Sequence, residues 1–251
     1  MFFDVQKASM LKRIGAWIFD LIMLAIIVVG VLAFVTAVFG YEYHTAQLEE
    51  VKVEYETAYN ISFDKTIEEI LALPEAEQEI YAAANEALNK DEEFQKLYDK
   101  VINIMLTSVS LSILIGYVLM EFLVPLLFGN GQTAGKKIFS IAVMRTDGVR
   151  VTPFMMFARA ILGKCTIETL VPVLLIIMLF FGLFSTVALV VLVLILLLQV
   201  ILVAKTQNHS AIHDLMACTV VVDVNSQMIF DSQEHRLEYR KRFEEENSTG
   251  K

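Results

Sequence analysis

The chain has 251 residues, 56% of them apolar, with a mean hydropathy of +0.59 and a formal net charge of −9. Its apolar runs are longer than a soluble core requires, which excludes an ordinary water-soluble domain and points to a membrane protein. The charge is confined to one segment: Tyr41 to Lys100 holds 16 Asp and Glu against 5 Lys, a net −11, leaving +2 for the rest and no basic face for a nucleic acid.

Residues 1–40 form an N-terminal segment and a first membrane helix. Ile14 to Phe39 contains one charged residue, Asp20, and is long enough for the roughly 20 apolar residues that span a bilayer. No small-x-small cleavage site closes it, so it is expected as a retained helix rather than a signal peptide. Lys7, Lys12 and Arg13 precede it and place that end in the cytosol.

Residues 41–100 read as an acidic, extracytoplasmic helical insertion, expected as a helical hairpin that continues the flanking membrane helices outward. Thr66 followed by Glu69 is a capping box, and Pro74 marks a helix start. A solvated spacer and a cation-attracting vestibule both fit its charge. It is also the surface through which a protein partner or a second copy would dock.

Residues 101–128 are a second membrane helix, in which Glu121 is the one charged residue between Ile102 and Phe128. The stretch GNGQTAGKK follows at 129–137 and has the look of a phosphate-binding loop. Two fixed points of that pattern fail, however, because Asn130 stands where Gly is needed and Lys137 where Ser or Thr is needed. The cations of residues 129–166, including Lys136, Lys137, Arg159 and Lys164, place that segment on the cytosolic side. Asp147-Gly148 predicts a β-hairpin within it, and MACTVVVDV predicts a third strand.

Thr169 to Ala204 has 36 residues and no charge. One helix of that length would be about 54 Å long against a hydrocarbon core of about 30 Å, so residues 167–205 are expected as a hairpin of two crossings turning near Gly182 to Thr186. Glu168 would then lie at the interface, at the start of the third helix. Residues 206–224 form a C-terminal motif segment and 225–251 a charged cytosolic tail. The fold expected is an all-α membrane protein: a four-helix transmembrane bundle with a small cytosolic β element and an extracytoplasmic helical insertion, both termini cytosolic. Cys165 and Cys218 have no C-x-x-C spacing and are expected as free thiols on the cytosolic side.

A charge in mid-bilayer costs about 2.5–3.5 kcal/mol on insertion scales, so Asp20 and Glu121 are the candidate ion- or proton-binding residues. Because their helices run in opposite directions, both come out about 10–12 Å below the inner surface at 1.5 Å per residue. If they face each other, repulsion and desolvation raise at least one pKa; alternatively, each is a neutral or hydrogen-bonded packing contact. Arg13 leans toward water, and Asp214 is its expected partner in a structural or gating pair. His209 and His213 have i, i+4 spacing but no evident third ligand, so no metal and no cofactor is expected. No catalytic constellation is evident, and the chain is not expected to be an enzyme.

Arg13, Asp20, GQTAGKKIFSIAV, Asp147-Gly148, Arg159 and HDLMACTVVV together resemble the RDD family of bacterial membrane proteins. The similarity runs over about residues 8–40 and 101–223, with the acidic segment as an insertion. The resemblance implies that the family's arginine is Arg13 and its two aspartates Asp20 and Asp214, and that Ala217-Cys218-Thr219 departs from a usual Ala-Gly-Thr. It also implies that GNGQTAGKK is an inner-surface turn, with Thr133 as a cap and Lys136 and Lys137 on lipid headgroups. Some family members are proposed to exchange Na⁺ and H⁺. The expected function is therefore a multi-pass transporter or ion exchanger of the Na⁺/H⁺ type in the bacterial inner membrane, whose partners are the lipid bilayer, a monovalent cation and a proton. The alternative is a non-transporting scaffold or accessory subunit.

Overall fold

A computed structural model describes residues 5–180, 185–206 and 210–249. The chain divides into two compact units, Leu32–Leu111 and the remainder, Met1–Val31 with Ser112–Lys251. Three helices are long and apolar enough to cross a membrane: α1 (Met10–Val38), α5 (Glu92–Phe128) and α7 (Pro153–Phe180). Each holds a stretch of at least 18 predominantly apolar residues.

The unit Leu32–Leu111 is helical, as its sequence periodicity predicts. Gly40, in the left-handed region at φ 67°, precedes α2 (Tyr41–Tyr59), and Asn60 at φ 52° ends it. The expected capping box starts α3 (Ile67–Leu71): the Glu69 N–H donates to Thr66 Oγ1 at 3.3 Å and the Thr66 N–H to Glu69 Oε2 at 2.7 Å. Pro74 opens α4 (Glu75–Lys90), where it can donate no hydrogen bond and none is needed. Asp91 caps α5 by accepting from the Phe94 N–H at 2.8 Å, and its other oxygen accepts from the Tyr55 hydroxyl at 3.0 Å. Tyr81, Ala84, Leu88 and Phe94 form the buried side of this unit.

In the other unit, α6 (Ala134–Ile138) leads into β1 (Ile141–Arg145), which pairs antiparallel with β2 (Thr219–Asp223), Val143 opposite Val221. Both strand faces are buried: Ile141, Val143 and Val221 pack with Ala8 and Ala16, while Ala142, Met144, Val220 and Val222 pack on the other side. That is why the strands read as continuous apolar runs instead of alternating ones. The Asp147-Gly148 turn forms, with Gly148 at φ 82° and its N–H donating to the Arg145 carbonyl at 3.0 Å. Its return arm differs from the predicted strand and shrinks to isolated bridges, Met144 to Arg150 and Val149 to Phe230. Thr152 and Pro153 end it by starting α7, with Thr152 Oγ1 accepting from the Met155 N–H at 3.3 Å.

The uncharged run is two helices: α7 ends at Phe180, and α8 (Ser185–Lys205) packs against it. Most of the expected turn, residues 181–184, lies outside the described residues. The start of α7 corrects the predicted boundary at residue 167. The helix already runs from Pro153, so Arg159, Lys164 and Glu168 lie within it rather than in a cytosolic loop or at the helix start. Charged residues lower local hydropathy, but here they point into the protein. The short helix α9 (Ile212–Met216) precedes β2, and α10 (Gln233–Thr249) forms the tail. Both cysteines are free thiols, Cys165 buried and Cys218 exposed.

Candidate functional site

Two helices change winding where they carry charge. Val118–Leu123 of α5 is a π-helical segment holding Glu121, and Ala158–Leu170 of α7 is another holding Arg159, Lys164 and Glu168. Residues five apart lie about 140° apart around an ordinary α-helix; in a π-helix, i and i+5 come nearly into line. Arg159 and Lys164 are five apart, and the wide winding turns both toward a cavity of about 540 Å³.

At one end of the site the loop after α5 closes on Asp20. Asp20 Oδ2 accepts from the Thr133 hydroxyl at 2.5 Å, and Oδ1 accepts from the Gly135 N–H at 2.8 Å. Gly135 has to lack a side chain, because a Cβ there would strike the Ala16 carbonyl oxygen and the Asp20 carboxylate. Thr133 also performs its predicted cap, accepting from the Lys136 N–H at 3.3 Å. The loop that resembles a phosphate cradle thus grips an anion after all, and the anion is the chain's own carboxylate.

Lys136 overturns its expected place at the headgroups. It is 7% exposed, and its Nζ lies 3.8 Å from Asp20 Oδ2 and 3.7 Å from Glu121 Oε2. The physical reason is pairing: two buried carboxylates need a buried cation, and Lys136 directly follows Gly135, whose N–H holds Asp20. Lys164 adds a second cation to Glu121, donating to Oε1 at 2.5 Å. The expected face-to-face repulsion of Asp20 and Glu121 is therefore replaced by a shared ammonium. Burial pulls Lys136 down to about 8 despite Glu121, which works to raise it. Lys137 is exposed and lies 4.2 Å from the centre of the Phe128 ring.

At the other end Asp214, 1% exposed, lies between two arginines. Its Oδ1 accepts from Arg159 Nη2 at 2.8 Å, while Arg13 Nη2 is 3.7 Å from Oδ2. Burial alone would raise the Asp214 pKa, but Arg159, His213 and Arg13 reverse the effect and hold it below the usual carboxylate range. His213 Nδ1 is 2.8 Å from Glu168, whose other oxygen accepts from the His213 N–H at 3.0 Å. Burial holds the imidazole below its ordinary pKa. Gly163 makes room for α9: a Cβ there would lie 2.5 Å from the His213 Cβ. His209 lies outside the described residues, and among the described residues no three His, Cys, Asp or Glu cluster as metal ligands.

Sequence reasoning identified the lone charges Asp20 and Glu121 and the pairing of Arg13 with Asp214. It missed Lys136, Arg159, Lys164, Glu168 and His213 as members of the same centre. Their only sequence signal was the i, i+5 spacing of Arg159 and Lys164, which points inward only for a helix wound wider than α.

Long apolar helices around a buried polar centre define an integral membrane protein. Among the described residues the centre balances, with Arg13, Lys136, Arg159 and Lys164 against Asp20, Glu121, Glu168 and Asp214. The RDD family profile matches residues 7–218, most of the chain, and the chain belongs to the RDD family. Comparison with curated proteins and with solved structures gave no match.

Proposed function

We propose that this chain is a transporter or ion exchanger of the Na⁺/H⁺ type, with Asp20 and Glu121 as the ion-binding carboxylates and Lys136 as the internal counter-ion. The observation that carries the reading is the single ammonium shared by both carboxylates, 3.8 and 3.7 Å away. A monovalent cation taking its place requires Lys136 to give up a proton: Lys136-NH₃⁺ becomes Lys136-NH₂, one cation enters and one proton leaves, so the site's charge is unchanged. With the lysine held at about 8, that loss lies within reach of neutral pH. Arg13 and Asp214 close the cytosolic end.

In this reading α8 is a fourth crossing, completing a four-helix bundle in the bacterial inner membrane with both termini cytosolic. Its 21 residues support that, at about 31 Å against a core of about 30 Å. The acidic insertion then lies outside and is the place for a partner or second copy. The balanced charge of the centre favours a second reading, a non-transporting scaffold whose polar residues hold the bundle. Reconstitution in vesicles with an internal pH dye separates the two. Exchange predicts proton movement on adding Na⁺, K⁺ or Li⁺ that is lost in Asp20→Asn; no movement, or movement unchanged in that variant, leaves the scaffold.

A further inference from the structure

Glu121 has an oxygen to spare. Lys164 donates to Oε1, but among the described residues Oε2 accepts no hydrogen bond: Lys136 Nζ lies 3.7 Å from it and donates instead to Thr133 Oγ1 at 3.1 Å. One tenth of the Glu121 side chain stays exposed, and Oε2 is not sealed, so it opens on the cavity of about 540 Å³ that Glu121 lines. A carboxylate oxygen without a donor, in surroundings of low dielectric, is costly and favours a positive group beside it.

The cavity has more room than a bare metal ion uses. Its volume falls within the roughly 300–1,000 Å³ of small-molecule sites, whereas a hard ion such as Ca²⁺ takes up only a shell of oxygens at about 2.3–2.6 Å. Away from the charges its wall is apolar, lined by Trp17 and Leu21 of α1, Pro172 of α7, and Ile195 and Leu196 of α8. A bare ion on Glu121 leaves this wall wet, and a plain hydrocarbon covers the wall but leaves Oε2 without a partner. A substituted ammonium with an alkyl tail does both.

We propose that the cavity takes an amphiphilic ammonium ion, its head on Glu121 Oε2 and its tail along Trp17, Ile195 and Leu196, in exchange for the Lys136 proton. The proposal rests on the exchange reading and extends its cargo from metal ions to organic cations. Lys136 is faced by Asp20 from α1, Glu121 from α5, and Lys164 and Arg159 from α7. The fixed charges of the centre already cancel, so a further cation enters only as a proton leaves: Lys136-NH₃⁺ becomes Lys136-NH₂, the proton goes to water, and no bond other than that N–H is broken.

The full chain in non-ionic detergent at pH 7 is titrated with hexyltrimethylammonium, which has no proton to give, so every proton released is the protein's. Tetramethylammonium supplies the head alone, hexanol the tail alone and hexyl sulfate the opposite charge. Trp17, the single tryptophan, reports occupancy by fluorescence, and a pH indicator reports release. One hexyltrimethylammonium is expected per chain, bound about ten-fold or more tightly than any of the three controls, with release approaching one proton per ion. Leu196→Ala, at a position 56% exposed and so no threat to folding, weakens that binding several-fold and leaves tetramethylammonium unchanged. Glu121→Gln removes the preference for the ammonium over hexanol. Any control binding as tightly as hexyltrimethylammonium, or wild-type affinity in Leu196→Ala, overturns the proposal, and the exchange reading stands if Na⁺ still releases protons. Binding without proton release overturns it as well, and if Na⁺ releases none either, the exchange reading falls with it.

Discussion

Replacing Lys136 with Met removes the one ammonium shared by Asp20 and Glu121 while keeping most of the side chain's volume. Glu121 retains Lys164 at 2.5 Å, but Asp20 is left with only the Thr133 hydroxyl and the Gly135 N–H, and the centre carries an uncompensated buried negative charge. Breaking a buried pair by removing one partner costs about 3–5 kcal/mol. For a chain of this size that lowers Tm by roughly 6–20 °C. The loss is read from thermal unfolding in detergent, followed by the fluorescence of the single tryptophan. Neutralising the partner recovers part of it, so Lys136→Met with Glu121→Gln falls short of the sum of the single changes by about 0.5–3 kcal/mol. The pH dependence supplies a second readout. The folded value of about 8 lies below the unfolded value of about 10.4, so between them the unfolded chain holds more protons and stability from this group rises with pH. Lys136→Met flattens that rise. A Tm within 2 °C of wild type, or strict additivity in the double variant, would refute the shared-counter-ion geometry.

Asp214→Asn leaves Arg159 and Arg13 facing each other without their carboxylate and is expected to cost about 3–5 kcal/mol, seen as a lower Tm. Because the Asp214 pKa is held down in the fold, its contribution is present above the unfolded value and fades as pH falls through the folded one, so the variant and wild type converge in acid. Gly163→Ala drives a methyl into the His213 backbone and side chain and loses about 1–3 kcal/mol, with protease sensitivity rising around α9. Cys218→Gly acts in the opposite direction. Cys218 has φ 50°, a conformation that costs an L-residue about 1–2 kcal/mol, partly offset by the freer unfolded chain of glycine, so a gain of up to about 1 kcal/mol is expected in Tm.

What the sequence disclosed follows from how local each signal is. Asp20 and Glu121 stood out because a lone charge in an apolar run has few other reasons to exist. Thr133 and Thr66 were legible as caps because capping involves residues only three apart. The strands were legible from the β-branched run Val220 to Val222, but their partner choice was not: β1 pairs with β2, 78 residues away in chain number from Ile141 to Thr219, and the Asp147-Gly148 arm contributes only isolated bridges. Lys136 was misplaced because a lysine in a Gly-rich loop looks solvated, and only the closure of that loop on Asp20 turns it inward. Arg159 and Lys164 were assigned to a cytosolic segment because hydropathy reads them as the end of an apolar run. The π winding that aims them at Glu121 and Asp214 leaves no mark on composition. The departure at Cys218 now has a physical cost, since its left-handed backbone explains the glycine that the family resemblance leads one to expect there.

The most direct measurement is proton release from purified protein in unbuffered detergent on adding Na⁺, Li⁺ or K⁺. Exchange at the shared ammonium predicts proton release that approaches one per cation bound below the Lys136 value of about 8, fades above it, and is absent in Lys136→Met. Cation binding with no proton released, or release of the same size in Lys136→Met, would contradict it.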